Sequence, residues 1–301
     1  EMYPSWSRDG KRIVFVRWTD DGLGEIHTVS PGGGNDRKVT AQPGHFARPV
    51  FSPDGDTVVF ERREGGYLTA PQYSDNPGVY KVSAEGGTPV LLNRDMARPH
   101  YGASNDRIFM VGSEDGMQTL VSTDTNGEDS RTHMKGEMVT DYRVSPSGKF
   151  VAFSENYDAF VMPMMPGAQA ITIDRASKAL PVVEVSDSGA DYVNWSSGGD
   201  RLHWSLGPTL YTAMLRDLFP SAPPAEGEER AAYQPPQTGI SLARTVSADI
   251  HEGTYAITGA RVVTMAGENG GIVDNGTIIV RNNRIEAVGP AASTTIPAGM
   301  R

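Results

Sequence analysis

Phe51-Ser52-Pro53-Asp54-Gly55-Asp56-Thr57-Val58-Val59-Phe60 decides the fold, because the chain repeats it. Ser-Pro-Asp-Gly specifies a tight turn. Proline presets φ, aspartate bonds its own backbone, and glycine takes the left-handed position. The aromatic residue before the turn ends one strand, and the apolar residues after it begin the next. Four more segments follow the pattern, starting at Trp6, Tyr101, Val144 and Trp195. In the copy at Tyr101, Asn105 stands where the others have glycine, and asparagine is the next best residue at positive φ.

The five starts are 45, 50, 43 and 51 residues apart. A period of about 45 residues is the size of a four-stranded propeller blade. Each motif supplies two strands. A second hairpin supplies the others, with returning strands at Ile26-His27-Thr28-Val29, Val79-Tyr80-Lys81-Val82, Leu120-Val121-Ser122-Thr123, Phe160-Val161-Met162 and Leu210-Tyr211-Thr212. Glycines at 32–34, 86–87 and 127 close several of them. The expected fold is all-β: a β-propeller of about five visible four-stranded blades, alone or within a larger ring, plus a small C-terminal β-sandwich segment. Because the chain opens inside a motif, further sequence is expected upstream.

Composition agrees. The 301 residues include 34 glycines and 21 prolines, which suits many short strands. Net charge is −10. Neither half is basic, so nucleic-acid binding has no electrostatic support, and the acidity reads as solubility. With no cysteine, disulfides, thiolate metal sites and cysteine nucleophiles are excluded. No apolar run approaches the roughly 20 residues that span a bilayer.

After Phe219 the texture changes. Residues 220–239 read as a proline-rich linker, with residues 1–219 before it as the propeller and 240–301 after it as a second domain. In the second domain Ile240 to Ala243 reads as a strand, and Gly253 to Met265, Asn275 to Val280 and Arg284 to Gly289 read as a β-meander. Asn275-Gly276 and Asn282-Asn283 are taken as its hairpin turns.

Two resemblances follow from these residues. Ser-Pro-Asp-Gly with Val-Val-Phe, then Val-Tyr-Lys-Val with Glu-Gly-Gly, resembles the WD40-like repeat of TolB-type propellers over about residues 1–218. Gly259-Ala260-Arg261-Val262-Val263-Thr264-Met265, Asn275-Gly276-Thr277-Ile278-Ile279-Val280, Arg284-Ile285-Glu286-Ala287-Val288-Gly289 and Ile296-Pro297-Ala298-Gly299 resemble the opening strands of metal-dependent amidohydrolases of the imidazolonepropionase and dihydroorotase type. That second resemblance implies a parent enzyme that hydrolyses C–N bonds of amides or cyclic amides. It would use zinc or another divalent metal, held in a barrel beyond Arg301 that starts with His-x-His. The propeller would gate or dock the substrate. The alternative is a non-catalytic TolB-like scaffold that binds protein or peptide. Both resemblances imply a periplasmic or secreted protein.

Within this chain no catalytic, metal or cofactor residue is expected. The six histidines (His27, His45, His100, His133, His203 and His251) contain no His-x-His or His-Glu-x-x-His. Gly-x-Ser-x-Gly is absent, which argues against a serine peptidase. Asp124-Thr125-Asn126-Gly127-Glu128 lacks a full calcium-ligand series and reads as a hairpin turn. The candidate binding residues form a column. Three residues before each motif stand Tyr3, Arg48, Arg98, Asp141 and Tyr192; one residue before stand Ser5, Val50, His100, Arg143 and Asn194. Innermost strands border a propeller's channel, so Arg48, Arg98, His100, Asp141, Arg143 and Tyr192 are the expected channel-binding set, against the plainer reading that they bond neighbouring blades. Expected partners are the remainder of the parent enzyme, a peptide or small amide, and a second copy joined through open strand edges.

Overall fold

A computed structural model describes residues 1–63, 76–165, 167, 169–173, 180–221, 231–248, 250, 253–267 and 270–300. The chain divides into two compact units, Glu1–Ala243 and Arg244–Arg301. The first contains five antiparallel blades. Blade 1 is β1 (Met2–Trp6), β2 (Ile13–Thr19), β3 (Leu23–Val29) and β4 (Arg37–Lys38). Blade 2 is β5 (Phe46–Phe51), β6 (Thr57–Arg62), β7 (Gly78–Ser83) and β8 (Val90–Asn93). Blade 3 is β9 (Ala97–Tyr101), β10 (Arg107–Glu114), β11 (Met117–Asp124) and β12 (Arg131–Gly136). Blade 4 is β13 (Val139–Val144), β14 (Phe150–Glu155), β15 (Asp158–Pro163) and, after β16 (Ile171–Thr172), β17 (Val183–Glu184). β16 leaves its own blade and pairs in parallel with β12, closing the outer edge of blade 3. Blade 5 is β18 (Asp191–Trp195), β19 (Arg201–Leu206), β20 (Thr209–Met214) and, beyond the short helix α1 (Leu215–Leu218), β21 (Ile240–Ser241).

The repeated turn works through its serine as well as its glycine. In blade 2, Ser52 Oγ donates to Asp54 Oδ1 (2.5 Å) and accepts the Thr57 N–H (3.0 Å), while Gly55 sits at φ +82°. Ser7, Ser145 and Ser196 close the same loop onto the N–H of Arg12, Phe150 and Arg201. Blade 3 has Gly102 in that place and lacks the pin. Asn105 accordingly does not adopt the positive φ expected of it; its side-chain oxygen accepts the Asp54 N–H of blade 2 (3.1 Å) instead. Asp124, the weak calcium candidate, caps a hairpin, its Oδ1 accepting the N–H of Asn126 and Glu128.

Alternation along each strand sends apolar side chains to both blade faces. Four buried clusters result, one for each junction between successive blades. They centre on Val14, Ile26 and Phe60 for blades 1 and 2, on Val59, Ile108 and Met110 for blades 2 and 3, on Leu120, Tyr142 and Phe153 for blades 3 and 4, and on Val161, Leu202 and Trp204 for blades 4 and 5. Each such side chain contributes about 1.5–3 kcal/mol when fully buried. Among the described residues no fifth cluster joins blade 5 to blade 1. Among the described residues the blades thus follow one another through four junctions, with blades 1 and 5 at the two ends of the series. On blade 1 the outward face is apolar: Met2, Pro4, Ile13, Phe15 and Val29 line an open hollow of about 450 Å³, rimmed by Arg17 and Asp36. On blade 5 the outward positions of β19 are Arg201, His203 and Ser205, and their partners on β20 are Met214, Thr212 and Leu210, so that face mixes polar and apolar side chains.

The sequence reading starts the second domain at Ile240. In the structure Ile240 and Ser241 pair with Leu210 and Thr209 as the fourth strand of blade 5, and the first unit runs to Ala243. A two-residue edge strand leaves little periodic signal, and its partner lies 30 residues earlier in the chain. Tyr233, from the stretch read as linker, packs on the blade 4–blade 5 cluster. Residues 222–230 of that stretch, and His251, lie outside the described residues.

The second unit is a three-stranded antiparallel meander, β22 (Thr254–Val263), β23 (Ile272–Arg281) and β24 (Arg284–Pro290). Asn282 and Asn283, at φ +47° and +60°, form the expected two-residue turn. Asn275-Gly276 is a bulge inside β23 rather than a hairpin turn: Asn275 takes φ +52° and the register with β22 shifts beside it. The first two strands are ten residues long, so they run past Asn275 to a turn near Gly270.

Candidate functional site

The first strand of every blade is interrupted, at the same place in blades 1, 2, 3 and 5 and slightly earlier in blade 4. Register shifts fall between Met2 and Ser5, Ala47 and Val50, Ala97 and His100, Val139 and Asp141, and Asp191 and Asn194. A bulge breaks the in–out alternation and re-aims a side chain. Tyr3, Arg48, Arg98 and Tyr192 sit in these bulges with φ of +54°, +49°, +53° and +55°. The left-handed region costs a non-glycine residue about 1–2 kcal/mol, so surrounding contacts must hold it. Blade 4 departs from the rule. Asp141 is not among the positive-φ residues, and its Oδ1 accepts the Tyr142 N–H (2.9 Å).

Successive first strands β1, β5, β9, β13 and β18 are neighbours along the series. The sequence column therefore becomes one inner rim, and on blades 2 to 4 it is wired together. Both oxygens of Glu61 accept from Arg48 Nη1 at 3.0 Å. Glu61 Oε1 also accepts the Arg98 backbone N–H at 2.6 Å, which pins the blade 3 bulge to blade 2. Arg98 Nη1 lies 3.2 Å from Asp141 Oδ2 on blade 4, and that oxygen also takes Arg143 Nη2 and Nε at 3.2 Å. Burial pushes the Asp141 carboxyl upward, but the guanidinium groups of Arg143 and Arg98 outweigh it and hold the group below its ordinary value.

His100 has a different part. Its Nε2 accepts the Val144 N–H of blade 4 (3.0 Å), its Nδ1–H donates to the Arg98 carbonyl (3.1 Å), and its ring stacks on Phe109 at 5.8 Å. Burial, then the charge of Arg143, push it down to about 4. It is neutral at pH 7, with both ring nitrogens used within the fold, and joins blades 3 and 4. Tyr192 is 89% exposed, and Tyr3 is 37% exposed with its ring 5.8 Å from the Arg48 guanidinium carbon. Trp195 ties blade 5 to blade 4 through Nε1–H and the Arg143 carbonyl (2.9 Å).

Sequence reasoning missed Glu61, which organises the rim. The signal was present. Its position, tenth after the motif start, is Val16, Val111, Ser154 and Ser205 in the other blades, so a carboxylate there is out of pattern. A second polar cluster surrounds His27, whose ring nitrogens meet Asp36 (2.7 Å) and Glu25 (3.2 Å). Among the described residues no three His, Asp, Glu or Cys side chains are grouped so that they could hold a metal ion.

The model of the TolB beta propeller domain matches residues 1–179. The chain belongs to the TolB beta propeller domain family. The TolB-type propeller is 24% identical over 156 residues to the uncharacterized peptidase YuxL of Bacillus subtilis, covering 51% of this chain and 21% of that protein. It is 23% identical over 155 residues to the Tol-Pal system protein TolB of Francisella tularensis subsp. mediasiatica, covering 50% and 34%. This chain thus matches about a fifth to a third of the length of these relatives. Among solved structures, TolB from Acinetobacter baumannii superposes with a TM-score of 0.54 at 17% identity, covering 71% of this chain and 51% of that one. The putative TolB from Agrobacterium tumefaciens gives 0.51 at 17%, covering 71% and 76%. At such identities the structural likeness shows the fold alone. Among the described residues no helix is long and apolar enough to cross a membrane.

Proposed function

We propose that the TolB-type propeller is a recognition module that binds a peptide or protein segment along its inner rim, in the periplasm or outside the cell. One observation carries the reading. Tyr3, Arg48, Arg98 and Tyr192 in the bulges, with Asp141 and Arg143 on β13, stand on neighbouring first strands and belong to none of the four inter-blade cores. Aromatic and arginine side chains on a rigid scaffold are the residues that dominate recognition surfaces. Tyr192 gives the cleanest test, because at 89% exposure it contributes little to folding. Peptides selected from an unbiased displayed library on the whole chain should bind Tyr192→Ala at least about fivefold more weakly. Selection that yields no binder, or binders indifferent to Tyr192 and Arg98 alike, refutes the reading.

A second reading adds to the first. The separate Arg244–Arg301 unit carries four segments in the order found at the start of metal-dependent amidohydrolases. On this reading the propeller docks substrate for a C–N hydrolase whose zinc or other divalent metal is held outside this chain. Sequence following Arg301 in the parent gene tests it: a His-x-His within about 30 residues supports it, and its absence from a full-length parent ends it.

A further inference from the structure

We propose that the inner rim receives a carboxylate between Arg48 and Arg98, with Arg143 beside them, so that the module selects acidic peptide segments. This rests on the recognition reading and narrows its ligand.

The argument starts from donors. A guanidinium offers five N–H groups. Both hydrogen bonds of Arg48 leave from Nη1 and end on Glu61. The ion pair of Arg98 with Asp141 also leaves from Nη1. Arg143 spends Nε and Nη2 on Asp141. Among the described residues, Nε and Nη2 of Arg48 and Arg98, and Nη1 of Arg143, bond to nothing. These side chains are 27%, 32% and 20% exposed, so the spare donors belong to groups that solvent reaches.

The two acids bonded to these arginines are already committed. Glu61 is 5% exposed and also accepts the Arg98 backbone N–H. Asp141 Oδ1 accepts the Tyr142 N–H, and Asp141 Oδ2 holds two arginines. They orient the guanidinium groups without cancelling them. Three arginines against two carboxylates leave one positive charge, and buried His100, neutral, adds none. One excess charge suits one incoming carboxylate, and paired N–H groups suit its two oxygens. The protein as a whole carries −10. An acidic ligand would therefore be repelled elsewhere, and retention would report this local site.

Titration calorimetry of the whole chain with hexaglutamate and with hexaglutamine tests the proposal. Hexaglutamate should bind, more weakly as salt is raised, and hexaglutamine should not. Arg98→Gln should weaken hexaglutamate at least about tenfold, the expected loss of a charge-assisted pair. Arg48→Lys keeps the charge but not the fork and should weaken it by a smaller factor. Thermal melts of each variant verify folding. If both peptides bind equally, the rim recognises backbone or stacking rather than charge: the inference fails and the recognition reading stands. Hexaglutamate that binds both variants as tightly as wild type sits elsewhere, and this too overturns the inference. Failure of hexaglutamate to bind also overturns it, while the displayed library decides the broader reading separately.

Discussion

Acidification should loosen the junction between blades 3 and 4 through one imidazole. His100 accepts the Val144 N–H through Nε2 and is 7% exposed. Protonating Nε2 would turn two donors toward each other beside the Arg143 charge. The fold therefore depresses the imidazole from 6.5 to about 4. Between those values the unfolded chain binds the proton and the folded chain does not, so stability falls as pH falls through this window. Taking both values, the loss between pH 7.5 and pH 5 is about 2 kcal/mol. His133 and His203 are lowered by burial in the same direction, so the wild-type slope has more than one source. The variant His100→Gln removes one source. Urea unfolding of both proteins at pH 7.5 and pH 5 should show the variant losing about 2 kcal/mol less than wild type across that interval. NMR titration of the His100 ring gives an independent reading near 4. Equal pH dependence in both proteins, or a ring that titrates near 6.5, refutes the reasoning. Asp141 acts in a lower window. Its depressed carboxyl contributes stability above the ordinary 3.8 that is lost as pH falls below it.

Other consequences are as direct. Glu61→Ala strips the acceptor from the strained Arg98 N–H and the partner from Arg48, and should cost about 2–4 kcal/mol in unfolding free energy. Gly127→Ala should cost roughly 2–3 kcal/mol: glycine sits at φ +84°, and a Cβ would lie 2.3 Å from the Leu92 carbonyl oxygen of blade 2. Chain truncated after Ala243 should keep the propeller's melting transition, whereas truncation after Phe219 removes β21 and Tyr233 and should lower it by several degrees.

The repeat alone announced the architecture, because turn chemistry is local. Serine, aspartate and glycine close a loop using only their own neighbours, so five copies could be read as five blades. The rim column could be read too, since equal spacing puts equivalent residues at equivalent places. What those residues do could not. His100 and Arg98 stand two apart in one column, yet one is consumed by a Val144 amide 44 residues later and the other keeps donors to spare. Asn105 and Asn275 failed as local predictions for related reasons. Asn105 meets a neighbouring blade, and Asn275 lies inside a strand longer than its turn signal suggested.

By itself the sequence determined the all-β class, the blade period and the tight turn of each repeat. Only the tertiary structure decided which side chains meet at each blade junction, that blade 5 closes with Ile240–Ser241, and that Glu61 organises the arginines. The physical reason is range. Turns and alternation act over a few residues, whereas a blade interface pairs side chains about 45 residues apart, and no local pattern records which of them meet.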